Sequence, residues 1–105
     1  MIIYNVTLNV DESIHDEWML WMHSIHVPEV MATGMFQSFK MLRLLTRQSD
    51  ETGETYAIQY TAASIEDYMA YQEQFAPALQ QKTLEKFGNK ILAFRTLMEE
   101  VQPFK

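Results

Sequence analysis

The sequence predicts an α+β fold of ferredoxin-like β-α-β-β-α-β order, in which a four-stranded antiparallel sheet carries two helices on one face. Three observations predict it. Residues 2–10 alternate apolar and polar side chains at the period of a half-buried strand. Two stretches, opening at Asp11 and at Ser64, repeat apolar residues at helical spacing behind a capping residue. A strand-like run follows each helical stretch, and a polar, glycine-containing turn joins the two middle runs, which closes the β-α-β-β-α-β order.

In the first strand Ile2, Tyr4, Val6, Leu8 and Val10 share one face, and Ile3, Asn5, Thr7 and Asn9 share the other. That second face is polar but uncharged. Asp11 then caps a helix whose stripe is Ile14, Trp18, Trp21, Met22 and Ile25, with Ser13 and Asp16 as an alternative start. Pro28 is poorly placed inside a continuous helix and pushes the residue before it toward extended geometry. A break is therefore expected near His26 and Val27, followed by a short helical piece over 28–32 and a stop at Gly34. Residues 36–47 read as the second strand, with Phe36, Leu42 and Leu44 on one face and Phe39, Met41 and Leu45 on the other. Residues 49–54 form the turn, and 55–62 the third strand, with Tyr56, Ile58 and Tyr60 opposite Ala57, Gln59 and Thr61.

Ser64-Ile-Glu-Asp67 has the form of an N-terminal capping box. The second helix places Ile65, Tyr68, Gln72, Phe75, Ala76 and Leu79 on one face, is divided at Pro77, and ends at Gly88-Asn89. The last strand, 90–101, is apolar on both faces: Ile91, Ala93 and Leu97 against Leu92, Phe94 and Met98. Arg95 shares the first of these faces by parity, and either face can be the inner one.

At 105 residues the chain is read as one domain, 1–105, able to bury a core without disulfides. It has no cysteine, so thiolate chemistry and zinc–thiolate sites are excluded. Without a signal peptide or a long apolar run, a cytoplasmic location and no membrane partner are expected. The net charge of −6 and the scattered basic residues weigh against nucleic acid, which is bound by clustered lysine and arginine.

The sheet face away from the helices has large apolar residues at its margins and neutral polar residues in its middle. Such a surface usually marks an interface, and the expected assembly is a homodimer formed through this open sheet face.

Several stretches resemble a family of short bacterial proteins of unknown function. They are residues 1–10, His15-Asp-Glu-Trp-Met-Leu-Trp-Met22, His26-Val-Pro-Glu-Val-Met-Ala-Thr-Gly34, Tyr56-Ala-Ile-Gln-Tyr60, Phe75-Ala-Pro-Ala-Leu79 and Ala93-Phe-Arg-Thr-Leu97. The resemblance extends over nearly the whole chain and implies no reaction. More loosely, the plan is similar to the dimeric α/β-barrel superfamily, which includes cofactor-free monooxygenases, haem-degrading enzymes, small isomerases and ligand-sensing domains. The pattern of Trp18, Trp21, His26, Pro28 and Glu29 in the first helix is similar to several of these. Likeness of fold does not determine chemistry.

The candidate residues each have a plain structural alternative. His26, at the helix break, is the one candidate for a catalytic acid/base; otherwise it caps the broken helix. His23 and His26 have the spacing of a metal pair, but Pro28 spoils the helix there and no third ligand is evident, so neither a metal nor a cofactor is expected. His15 reads as a surface residue. Trp18 and Trp21 are core aromatics or one wall of an aromatic site. Asn5, Thr7, Asn9, Gln59 and Thr61 converge from neighbouring strands either as a small-molecule site or as a wet dimer interface. Arg43 and Arg95 are paired with carboxylates or reach a cavity, where they would favour an anion. The function read from this set is a small-molecule-binding barrel for a compact apolar or aromatic ligand. Asn5, Thr7, Gln59 and Arg95 would orient that ligand, with Tyr60 and Tyr68 as walls. Its enzymatic form is metal-free and monooxygenase- or isomerase-like, and binding and enzymatic forms alike require an enclosed cavity of at least about 300 Å³ with a histidine or arginine reaching in. The alternative is a non-catalytic ligand-sensing or protein-interaction module.

Overall fold

Alternation carries the first strand as expected: β1 (Ile2–Val10) lies in the middle of the sheet, where one face meets the helices and the other does not. The computed structural model describes residues 1–46 and 51–103. After β1 come a 3-10 turn (Glu12–Ile14), α1 (His15–Trp21), a π-turn (Met22–His26) and α2 (Val27–Ala32). The chain continues through β2 (Ser38–Arg43), β3 (Glu54–Ala62), α3 (Ile65–Gln74), α4 (Ala76–Phe87), a second 3-10 turn (Gly88–Lys90) and β4 (Ile91–Glu99). The strands are antiparallel in the order β2-β3-β1-β4, so β2 and β4 are the edges. This is the ferredoxin-like arrangement.

Register settles which residues share a face. Tyr4 pairs with Tyr60 and Leu97, Val6 with Ile58 and Arg95, and Leu8 with Tyr56 and Ala93, all on the helix side. Asn5 pairs with Gln59 and Thr96, and Thr7 with Ala57 and Phe94, all on the open side. The core lies between the sheet and the helices, where Val10, Trp18, Val30 and Ile58 are fully buried. One end of this core is aromatic: Phe36 packs edge-on to Tyr71 at 4.8 Å, and Tyr4 stacks with Phe36 at 6.0 Å.

Pro28 does not break the first helix. The Val27 N–H donates to the Met22 carbonyl, a five-residue spacing that widens the turn, and backbone angles remain helical up to the proline. A wider turn relieves the clash between a proline ring and the carbonyl four residues earlier. Its extra residue also shifts the helix phase by one position. Ile25, expected in the buried stripe, is 46% exposed, and His26 takes the half-buried place.

Pro77 divides the second helix as expected and sits in the first turn of α4, after a non-helical Phe75. Within α3, Tyr71 is buried where Gln72 was expected, because the stripe runs through Tyr68, Tyr71 and Phe75. The Ser64 hydroxyl accepts the Asp67 N–H at 3.2 Å, so the predicted cap forms. β2 is shorter than the 36–47 run: Phe36 precedes the strand and turns into the core instead of sharing a face with Leu42. The predicted end of that strand and the start of its turn, residues 47–50, lie outside the described residues, as do residues 104–105. Among the described residues no helix is long and apolar enough to cross a membrane.

Candidate functional site

The phase shift in the first helix matters because of what it aims inward. Between the helix face of the sheet and the helices lies a cavity of ≈ 160 Å³. Tyr4, Val6 and Leu8 of β1 form its floor, Trp18, Met22 and His26 form one wall, and Leu79, Gln80 and Thr83 of α4 form the other. Beside β4, the lining residues Ala93 and Arg95 are exposed together with Leu84, because no further strand covers that edge.

The cavity is mostly apolar, and its polar groups have a consistent character. The His26 ring stacks on Trp21 with centroids 4.8 Å apart. Burial holds its pKa down at about 4; Glu29 pulls the other way, while Arg95 and Lys82 add to the depression. Glu29 is itself paired with Lys82 at 2.6 Å, across from α2 to α4. At neutral pH the imidazole is therefore uncharged, with one nitrogen donating and one accepting. Burial also raises the Tyr4, Tyr60 and Tyr71 pKa values, so their hydroxyls stay protonated; the Arg95 guanidinium and Gln80 partly offset this at Tyr4. No carboxylate is among the described residues that line the space. The buried indole N–H of Trp18 has no hydrogen-bond partner among the described residues. A buried unpaired donor costs about 1–3 kcal/mol.

The open side of the sheet differs. Asn5 Nδ2 donates to Thr7 Oγ1 at 2.9 Å, and Asn9 Nδ2 donates to the Thr52 carbonyl at 3.0 Å and to Thr55 Oγ1 at 3.1 Å. Most of these amides already bond within the face, although Asn5 Oδ1 is buried without a partner among the described residues. A broad, open depression of ≈ 410 Å³ lies at its edge, lined by Thr7, Asn9, Thr55, Leu92 and Phe94 among others.

With both faces assigned, likeness to known proteins becomes informative. A family model described as "Domain of unknown function (DUF4286)" matches residues 1–101. The chain belongs to this family. No curated protein matches it in sequence. Among solved structures it is similar to an ethyl tert-butyl ether D (EthD) family protein from Bacillus halodurans, with a TM-score of 0.66 at 16% identity, covering 96% of this chain and all of that one. It is also similar to a proposed antibiotic biosynthesis monooxygenase from Deinococcus radiodurans, with a TM-score of 0.56 at 16% identity over 100% and 97% of the two chains. A hydroxynitrile lyase from Passiflora edulis matches with a TM-score of 0.55 at 18% identity over 97% of each chain. At these identities the likeness establishes the fold alone, the four-stranded antiparallel sheet with helices on one face.

The structure divides the residues that the sequence gathered around one ligand. His26, Tyr60 and Arg95 line the helix-side cavity. Tyr68 packs against Tyr4, with ring centroids 5.2 Å apart, and its hydroxyl meets Gln72 at 3.4 Å; it supports the wall from behind. Asn5, Thr7 and Gln59 are on the opposite side of the sheet, so they cannot orient a ligand held by His26 and Arg95. The pairing of Arg95 with Val6 decides the matter, since it places the guanidinium on the helix side. His15 is not a free surface residue: its Nε2 is hydrogen-bonded to the Tyr56 hydroxyl at 2.5 Å and its Nδ1 meets Asp16 at 3.0 Å. His23 is exposed, and no group of three metal-binding side chains occurs among the described residues.

Tyr4, Gln80 and Thr83 were not singled out from sequence. Thr83 carried a signal, because it interrupts the stripe of Ala76, Leu79 and Phe87 on α4.

Proposed function

We propose that the chain is a small-molecule-binding protein of the dimeric α/β-barrel type whose ligand occupies the cavity between sheet and helices. In this reading it is one domain over 1–105, works in the bacterial cytoplasm, and dimerises through the open sheet face. The observation that carries the reading is a neutral imidazole and a guanidinium sharing one mostly apolar cavity. That is the pattern of a ligand site: hydrophobic walls with a few convergent polar groups.

The cavity volume restricts the ligand. At ≈ 160 Å³ it falls below the about 300 Å³ of a drug-sized site. It is close to the roughly 150 Å³ of engineered apolar cavities that take up benzene, so the ligand is compact. For His26, a pKa near 4 makes a weak base at pH 7. General-base catalysis works best with a pKa close to the operating pH. His26 therefore serves mainly to orient a ligand, and the ligand-sensing form of the reading is favoured over the monooxygenase- or isomerase-like one.

Dimerisation is supported by the apolar residues of the open face. Leu92 and Phe94 on β4 are 68% and 65% exposed, and Leu42 and Met98 flank the same side. A cover for this face would also supply a partner for Asn5 Oδ1.

A thermal-shift screen of small metabolites on wild type, His26→Ala and Asn5→Ala tests the proposal. It expects a compact ligand whose stabilisation is lost in His26→Ala and kept in Asn5→Ala. Stabilisation that survives in His26→Ala and vanishes in Asn5→Ala would move the site to the open face.

A further inference from the structure

Which ligand the cavity takes can be inferred from the charges and hydrogen-bonding groups around it. This step rests on the helix-side cavity being the binding site. Arg95 is a permanent cation, and it lines the space where β4 leaves the sheet uncovered. The described lining residues contain no carboxylate to neutralise it. The acidic group that acts on His26, Glu29, is held by Lys82 at 2.6 Å. Tyr4, Tyr60 and Gln80 line the same space with groups that can donate, while the Thr83 hydroxyl donates to the Leu79 carbonyl at 3.3 Å. Trp18, which also lines it, keeps a buried indole N–H without an acceptor among the described residues. The site is thus rich in donors, biased positive and lacking in anions, inside a chain whose net charge is −6. Farther in, Leu8, Ile58 and Leu79 offer only hydrocarbon.

We infer that the ligand is a compact organic monoanion, a carboxylate or enolate on a small aryl or branched apolar body. Its charged end lies on Arg95 at the β4 edge and its body fills the cavity beneath. A cationic ligand meets the guanidinium with no counter-charge. A neutral ligand fills the apolar part and can accept a hydrogen bond from the guanidinium, but it forgoes the ion pair, which for a carboxylate is bidentate.

Matched probes test this at pH 7, with binding read by calorimetry and by the fluorescence of Trp18 and Trp21. Benzoate, benzamide and benzylamine share one ring and differ in charge; pivalate and pivalamide repeat the comparison without a ring. The expected result is that an anion binds at least about tenfold tighter than its amide, with benzylamine weakest. Arg95→Gln removes the preference, so that the anion and its amide bind with about equal affinity, while Arg95→Lys keeps a preference for the anion. Circular dichroism of both variants checks that they fold. An amide or amine that binds wild type as tightly as the anion overturns the inference and leaves the cavity reading standing. So does an anion preference that persists in Arg95→Gln. If no probe binds, the inference and the cavity reading both fail.

Discussion

The pH dependence of stability should carry the signature of His26. Its folded pKa is about 4, against an ordinary value of 6.5, and burial is the main cause. Above pH 6.5 neither the folded nor the unfolded chain protonates this ring, so it contributes no pH dependence. Between pH 6.5 and about 4 the unfolded chain binds a proton that the folded chain refuses, and stability falls as the pH falls. Below about 4 both states are protonated and the loss is complete. At about 1.4 kcal/mol for each pH unit between the two values, the loss is about 3 kcal/mol, a large part of the ~5–15 kcal/mol stability of an ordinary domain. Glu29, Arg95 and Lys82 all face the ring, and their opposing effects are already included in the depressed value. Urea unfolding of wild type and His26→Gln from pH 8 to pH 4 isolates the effect, since the two proteins differ in this one side chain. The difference in unfolding free energy between the two should change by about 3 kcal/mol across this window, in favour of the variant at low pH. Parallel curves would refute the burial argument, as would an NMR titration of the His26 ring with a midpoint between 6 and 7.

Two further outcomes follow from packing. Phe94→Glu places a charge in the centre of the exposed apolar strip on β4, and light scattering should show the wild-type mass fall from twice 12.4 kDa to 12.4 kDa; a monomeric wild type at micromolar concentration would contradict the dimer. Gly53 has φ +74 and a Cβ there would overlap the Val10 carbonyl oxygen, whereas Gly34 has φ +79 and open space around it. Gly53→Ala should therefore destabilise by more than about 1 kcal/mol, and by clearly more than Gly34→Ala; equal urea midpoints for the two variants would show that the close approach to β1 is unimportant.

Most of the fold was legible because its signals are local. Alternation in β1, the Ser64 cap and Pro77 each act within a few residues, and the structure keeps all three. The first helix was misread after Met22 because a helical wheel assumes a constant rotation per residue. The π-turn adds a residue, exposes Ile25 and turns His26 inward. His26 was thus a candidate from sequence for its position at a break, while its burial comes from a continuous helix. Arg95 could not be placed from sequence, since both faces of β4 are apolar and only pairing with β1 distinguishes them. The neutral polar row of Asn5, Thr7 and Gln59 is ambiguous for a different reason. Hydrogen-bonding groups within an apolar surround look alike in a ligand site and in an interface. The register places this row on the uncovered side, away from His26 and Arg95.

The central claim is that the ligand enters the space between sheet and helices and not the open sheet face. NMR chemical-shift mapping with benzoate tests it most directly, because one titration reports on both sides of the sheet. Binding in the cavity should shift the Tyr4, His26, Thr83 and Arg95 resonances together, saturably, with Asn5, Thr7 and Gln59 little changed. Saturable shifts centred on Asn5, Thr7 and Gln59, with His26 and Arg95 unmoved, would contradict the account.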